Sequence, residues 1–124
     1  MRIDYNPAVS PPAPFVPIAI AHPLRPTAHR AVSAKVDTGA DITALPVELV
    51  QGLVLSQKHL LEVAGYDNEL TVIPTYDVLL ELAQARVRLE VVAVPDEYAL
   101  LGRDVLNLLR LLLDGPALTL EISE

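Results

Sequence analysis

Asp37, Thr38 and Gly39 stand together at the end of an alternating stretch, and the triplet occurs once in the 124-residue chain. A carboxylate at the mouth of a strand can take a proton from water, and a second, protonated carboxyl facing it can give one back. Together they can hydrolyse an amide. One triplet supplies half of such a pair. If Asp37 works this way, its mate must come from a second copy of the chain, so the motif implies a chemistry and a homodimer at once. Alone it is a weak signal: a chance Asp-Thr-Gly turns up in roughly a few per cent of chains this long. All three residue types also favour a plain surface turn between strands.

The flanks sharpen the reading. Arg30-Ala-Val-Ser-Ala-Lys-Val36 alternates polar and apolar residues, the pattern of a half-buried strand, and runs straight into Asp37. Gly39 gives the chain freedom to turn sharply there, and Ile42 to Leu45 resumes extended character before Pro46. Well downstream comes Ala99-Leu-Leu-Gly-Arg-Asp-Val-Leu-Asn107, two apolar residues and then Gly102-Arg103-Asp104 opening a short amphipathic helix. These two signatures, in this order, resemble those of the retropepsin family, the retroviral-type aspartic proteases. In that family an apolar-apolar-Gly segment lies beside the catalytic loop and a Gly-Arg-Asp/Asn helix follows. The resemblance spans about residues 14 to 122. It looks closest to small stand-alone bacterial or cellular members rather than to a viral enzyme.

The resemblance implies an all-β, closed-barrel acid-protease fold with one short C-terminal helix, working as a homodimer on a peptide or protein substrate. It implies Asp37 as the catalytic residue, one per chain. Thr38 matches a position that hydrogen-bonds across the dimer. Gly39 matches a glycine whose carbonyl receives the substrate backbone, with Ala40 beside it. Asp41 and Arg103 match a pair that braces the loop within one subunit; the alternative for each is an exposed charge of little worth. Asp104 falls where the family has Asp or Asn, and helix capping is its expected task. Substrate contacts are implied for Gly65 and Tyr66 at the tip of a hairpin flap, and for Tyr98 and Leu100 just before Gly102. The flap departs from the retroviral pattern: Gly65 is its single glycine, followed by Tyr66-Asp67-Asn68, a stiffer and more polar tip. No cofactor and no metal is expected, since His22, His29 and His59 are scattered without ligand spacing and read as surface histidines. No Gly-x-Ser-x-Gly elbow supports a serine hydrolase. A second reading remains beside the enzyme: a non-catalytic retropepsin-fold module that dimerises or binds peptides. An intact Asp37-Thr38-Gly39 favours the enzyme, because a binding module has no need of a coupled acid pair.

The elements that must position these residues can be read coarsely. Residues 1 to 13 are Pro-rich and read as an arm or loosely tethered extension, and residues 14 to 124 as one domain. Strands are expected over Phe15 to Ala21, Ala31 to Val36, Lys58 to Ala64, Glu69 to Ile73, Thr75 to Leu82 and Ala85 to Val94. Gly65 to Asn68 has turn chemistry between two of them. Pro46 to Val50 reads as a helical turn with proline at its first position, and Arg103 to Leu109 as the C-terminal helix. Arg110 to Leu113 and Ala117 to Ile122 form a closing hairpin. Its alternating leucines exceed what so small a domain can bury, so this tail is expected at the dimer interface, and removal of residues 117 to 124 is expected to give monomers. No internal repeat is visible, which argues against a two-lobed, pepsin-like chain.

Composition narrows the setting. A net charge of −7 disfavours nucleic acid as a partner. Apolar residues make up 52% of the chain and aromatic ones 4%, so the core must be aliphatic. With no cysteine, disulfides, thiol catalysis and thiolate metal sites are all excluded. Prolines 11, 12, 14 and 17 break up the N-terminal stretch, so a secretory leader is not expected. No apolar run reaches membrane-spanning length. A cytoplasmic location is the default expectation.

Overall fold

The computed structural model describes residues 1–64 and 67–123. Gly65 and Tyr66, the flap residues singled out above, lie outside the described residues. Ten strands and two short helices follow in order: β1 (Arg2–Asp4), β2 (Phe15–Ala21), β3 (Arg30–Val36), β4 (Ala44–Pro46), α1 (Val47–Gly52), β5 (Gln57–Ala64), β6 (Leu70–Leu82), β7 (Ala85–Val94), β8 (Ala99–Leu101), α2 (Arg103–Leu106), β9 (Arg110–Asp114) and β10 (Thr119–Ser123). Among the described residues no helix is long and apolar enough to cross a membrane.

Six strands close on themselves. Their order is β2-β3-β8-β4-β7-β6, and β6 returns to β2 through Ala19↔Glu81, Ile20↔Leu80 and Ala21↔Leu79. The result is a closed six-strand barrel, which leaves its member strands no long free edge. The alternation of each strand decides what fills it. Val16, Ile18 and Ile20 of β2, Ala34 of β3, Val78 and Leu80 of β6, Val91 of β7 and Leu101 of β8 all point inward and are buried. The core is aliphatic, as the scarcity of aromatic residues requires.

The β5–β6 hairpin extends beyond the barrel. The sequence pattern splits Glu69 to Ile73 from Thr75 to Leu82, but β6 runs unbroken through Pro74. Proline is tolerated because at this point β6 has a neighbour on one side only. Pro74 pairs with Leu60 of β5, and pairing with β7 begins at Tyr76. The tip keeps its turn chemistry: Asn68 has a φ of 61°, and Asp67 Oδ1 accepts a hydrogen bond from Glu69 N at 3.1 Å.

Polar side chains pin the root of this hairpin to β7. Buried Thr75 donates its hydroxyl to Glu90 Oε1 at 2.6 Å and accepts from His59 N at 3.0 Å. The His59 ring meets the same Glu90 oxygen at 2.6 Å. Thr75 and then His59 hold the Glu90 carboxyl below its usual range. Next to it, the Arg88 guanidinium donates to both Asp77 oxygens at 2.6–3.2 Å, with Lys58 3.9 Å away. Of the histidines read as surface residues, His59 therefore has a carboxylate partner, and His29 lies 3.7 Å from Glu81 Oε1. His22 is buried, because its Nδ1 accepts from Leu24 N at 3.0 Å and closes the loop after β2.

Outside the barrel lies a three-stranded sheet in the order β1-β10-β9. Residues expected to form a loose extension thus include an edge strand, with Arg2↔Glu121 to Asp4↔Thr119 in register. Tyr5 N then donates to Leu118 O at 2.8 Å. Leu120 and Ile122 of β10 are buried in the main core, so part of the tail's apolar surface is covered within the chain. Helix α2 is shorter than its sequence suggests, ending at Leu106 rather than Leu109.

The Arg88 guanidinium, first through its hydrogen bonds and then through its charge, lowers the Asp77 carboxyl from 3.8 against the opposing pull of burial. A carboxyl depressed in the folded state stabilises the fold above its unfolded value and loses that contribution as pH falls through its folded one. Asp77→Asn should therefore lower the melting temperature at neutral pH. The gap from the parent should close in acid well below 3.8; thermal unfolding followed by circular dichroism at both pH values checks this.

Candidate active site

Strand β3 delivers Asp37 to a loop whose backbone is fixed from two sides. Asp37 N donates to Leu101 O at 3.0 Å, extending the parallel β3–β8 pairing by one bond, and Ala40 N donates back to Asp37 O at 3.2 Å. The half-buried Asp37 carboxyl is held by its own loop, Oδ1 accepting from Gly39 N at 3.0 Å. Its other oxygen has no hydrogen-bond partner among the described residues. Gly39 does not adopt a positive φ, so conformational freedom is not what the position demands. Room is: a Cβ built there would lie 3.3 Å from Asp37 Oδ1, pressing on the carboxylate it hydrogen-bonds.

The loop is clamped by the segment that follows β8. Arg103 donates from Nη1 to Thr38 O at 2.8 Å and from Nη2 to Asp41 Oδ1, while its backbone N donates to Ala40 O at 2.9 Å. Three bonds from one residue thus span Thr38 to Asp41. The Asp41 side chain is 85% exposed, so the ion pair itself stabilises little and the carbonyl bonds matter more.

Thr43 is the residue that sequence reasoning misses. It is fully buried. Its hydroxyl donates to Asp104 Oδ1 at 2.7 Å and accepts from Gly102 N at 3.0 Å. Its backbone N donates to Asp104 Oδ2 at 3.0 Å, and its carbonyl accepts from Val92 N at 3.1 Å. The signal was a lone polar residue inside the apolar run Ile42 to Pro46. Asp104 consequently does different work from the helix capping expected of it. The N-cap of α2 is Gly102, with no side-chain cap. Asp104 sits two residues further in and grips Thr43 across the chain while accepting from Val105 N at 2.9 Å. Gly102 itself lies against backbone: a Cβ there would meet Ile42 C at 2.8 Å and Thr43 N at 3.0 Å.

Of the remaining candidates, Thr38 is exposed with no hydroxyl partner among the described residues. Leu100 is half-buried and pairs with Lys35 and Ala44. Tyr98 packs edge-on against Phe15, ring centroids 5.1 Å apart at 79°, so this ring has a neighbour within the chain.

No known family model matches the chain, and no curated protein does. Solved structures do. The Simian foamy virus (mac) protease superposes with a TM-score of 0.55 at 19% identity, over 73% of this chain and 91% of the other. The EIAV protease in complex with the inhibitor HBY-793 gives 0.57 at 18%, over 85% and 92%. A foamy viral protease-reverse transcriptase in complex with an RNA/DNA hybrid gives 0.57 at 14%, over 77% of this chain and 12% of that much longer one. At these identities the likeness establishes the fold: this chain has the all-β, closed-barrel architecture of the retroviral proteases.

Gly102→Ala should force the crossing of β8 over Ile42–Thr43 apart. Backbone on the far side cannot yield as a side chain would, so a cost of about 1–3 kcal/mol is expected. A fall of several degrees in melting temperature checks it; an unchanged transition would contradict the close approach.

Proposed function

We propose that this chain is an aspartic-type endopeptidase that works as a homodimer, each copy contributing one Asp37, and that it is a stand-alone cellular or bacterial relative of the retroviral enzymes. The observation that carries the reading is the half-site itself. Asp37 ends a barrel strand with one carboxylate oxygen held by Gly39 N, on a loop tied at Thr38, Ala40 and Asp41 by Arg103. A carboxylate so fixed is placed to meet a symmetry mate.

Two carboxylates brought within a few ångström share one proton, because both cannot be charged cheaply. The charged member takes a proton from a bound water, which attacks the scissile carbonyl. The neutral member hydrogen-bonds the carbonyl oxygen and then protonates the leaving nitrogen. The substrate lies extended between the two Asp37 loops and the β5–β6 hairpins, with Gly39 and Ala40 beside its backbone. Thr38, whose hydroxyl has no partner among the described residues, ties one loop to the other across the pair. A cytoplasmic setting belongs to this reading, since a fold without cysteine needs no oxidising compartment.

The pairing surface we infer is the open edge of β9. In this chain β10 lies between β1 and β9, so its two edges are already taken and it cannot interleave with a partner's strand. Among the described residues no strand pairs with the outer edge of β9. Leu112 and Leu113 on it, with Leu108 before it, are 58%, 46% and 55% exposed. An apolar strip along an unpaired edge is covered by a second copy running antiparallel about a two-fold axis. Removing residues 117 to 124 would also remove core residues Leu120 and Ile122, so a surface variant tests the interface more cleanly.

Asp37→Asn should abolish cleavage of a diverse peptide mixture at mildly acidic and neutral pH while leaving the circular dichroism spectrum intact. Absence of any Asp37-dependent cleavage by the parent, with peptides still bound, would favour the non-catalytic module. Leu112→Asp with Leu113→Asp should shift the sedimenting mass from twice 13.4 kDa to that of one chain and remove activity with it. A double variant that stays paired rules out the β9 edge.

A further inference from the structure

The barrel face on which Asp37 stands carries a cation. Side chains alternate along β3, and Ala34 and Val36 turn toward the core. Lys35 and Asp37 therefore share the opposite face, roughly 7 Å apart along the strand. Register places the neighbours of Lys35 on that face: Phe15 of β2 directly across one edge and Leu100 of β8 across the other. Tyr98, two residues before Leu100, reaches over β3 to pack against Phe15. Three apolar side chains, of which Phe15 is buried, and one ammonium thus share the face of the strand that leads into Asp37.

The charge is uncommitted. Lys58, Arg86, Arg88 and Arg103 each pair with a carboxylate. Of the lysines and arginines without such a partner among the described residues, Arg2, Arg25, Arg30 and Arg110 are exposed, whereas Lys35 is half-buried. A half-buried ammonium on a face of aromatic and aliphatic side chains gains most from a counter-ion brought to it.

We propose that Lys35 sets substrate choice: the pocket formed by Lys35, Phe15, Tyr98 and Leu100 receives an acidic side chain flanking the scissile bond, glutamate best. The methylenes of a glutamate lie against Phe15, Tyr98 and Leu100, and its carboxylate meets the Lys35 ammonium. Two-fold symmetry gives the dimer two such pockets, one on each side of the dyad. Aspartate, a methylene shorter, covers less of the apolar wall. The proposal rests on the endopeptidase reading, but its test separates the two.

Matched peptides carrying Glu, Gln, Leu or Lys at the residue flanking the cut are digested by the full-length dimer. Glutamate and glutamine differ in charge at nearly equal shape, so their ratio of kcat/KM reads the ammonium. The expected preference for glutamate is on the order of ten- to a hundredfold, the worth of one charge-assisted hydrogen bond. Lys35→Met should collapse that ratio to near unity, and Lys35→Glu should turn the preference toward lysine. A parent ratio near one, or a ratio unmoved by Lys35→Met while Asp37-dependent cleavage persists, overturns the pocket and leaves the protease. If nothing is cut, the protease reading fails. Fluorescence anisotropy of the same labelled peptides on Asp37→Asn protein then decides: tighter glutamate binding that disappears with Lys35→Met supports the pocket, and equal binding of glutamate and glutamine overturns it.

Discussion

One buried hydroxyl organises the working end of this molecule. Thr43 Oγ1 satisfies Gly102 N and in turn donates to Asp104, binding the segment after the Asp37 loop to the segment after β8. The two segments cross at a point where even a methyl group would collide with backbone. With that crossing hydrogen-bonded, Asp37 N can reach Leu101 O and Arg103 can reach Thr38, Ala40 and Asp41. An unpaired polar group at the same depth would cost about 1–3 kcal/mol. The carboxylate is therefore aimed by the barrel strands as well as by its own clamped loop.

The rest of the architecture serves that aim. A small aliphatic core gains from a closed barrel, since closure removes edges that would otherwise compete for partners. Among the described residues, two of the surfaces left open are the β5–β6 hairpin, with Leu60, Leu70 and Val72 exposed, and the β9 edge, with Leu112 and Leu113 exposed. In the proposed homodimer these are the surfaces that a second copy and a substrate would cover. The pairing inferred along β9 and the substrate groove inferred under the hairpin account for both.

Much of this was legible in the residues. The strands Phe15 to Ala21 and Ala85 to Val94 are read to the residue, and the two glycine-bearing signatures led to the fold that the viral structures share. The misreadings have physical causes. Pro74 looks like a strand break because sequence does not reveal that β6 lacks a second neighbour there. The first residues look loose because a three-residue edge strand is stabilised by a partner more than a hundred positions away. Thr43 was invisible as a hub, and Asp104 misassigned, because a hydrogen bond between residues 61 positions apart leaves no local pattern. Gly39 was noticed for the wrong reason, conformational freedom, where the structure shows close approach to a carboxylate. Lys35 was passed over as the polar half of an alternating strand, and its meaning emerged once register placed it beside Phe15 and Leu100.

Hydrolysis by the proposed mechanism needs one Asp37 from each of two chains. Parent and Asp37→Asn subunits can be unfolded together, mixed at varied ratios, refolded and assayed at fixed total protein. If both carboxylates are required, activity falls as the square of the parent fraction, to one quarter in an equal mixture. A linear fall, to one half, would mean that each copy works alone and would contradict the account.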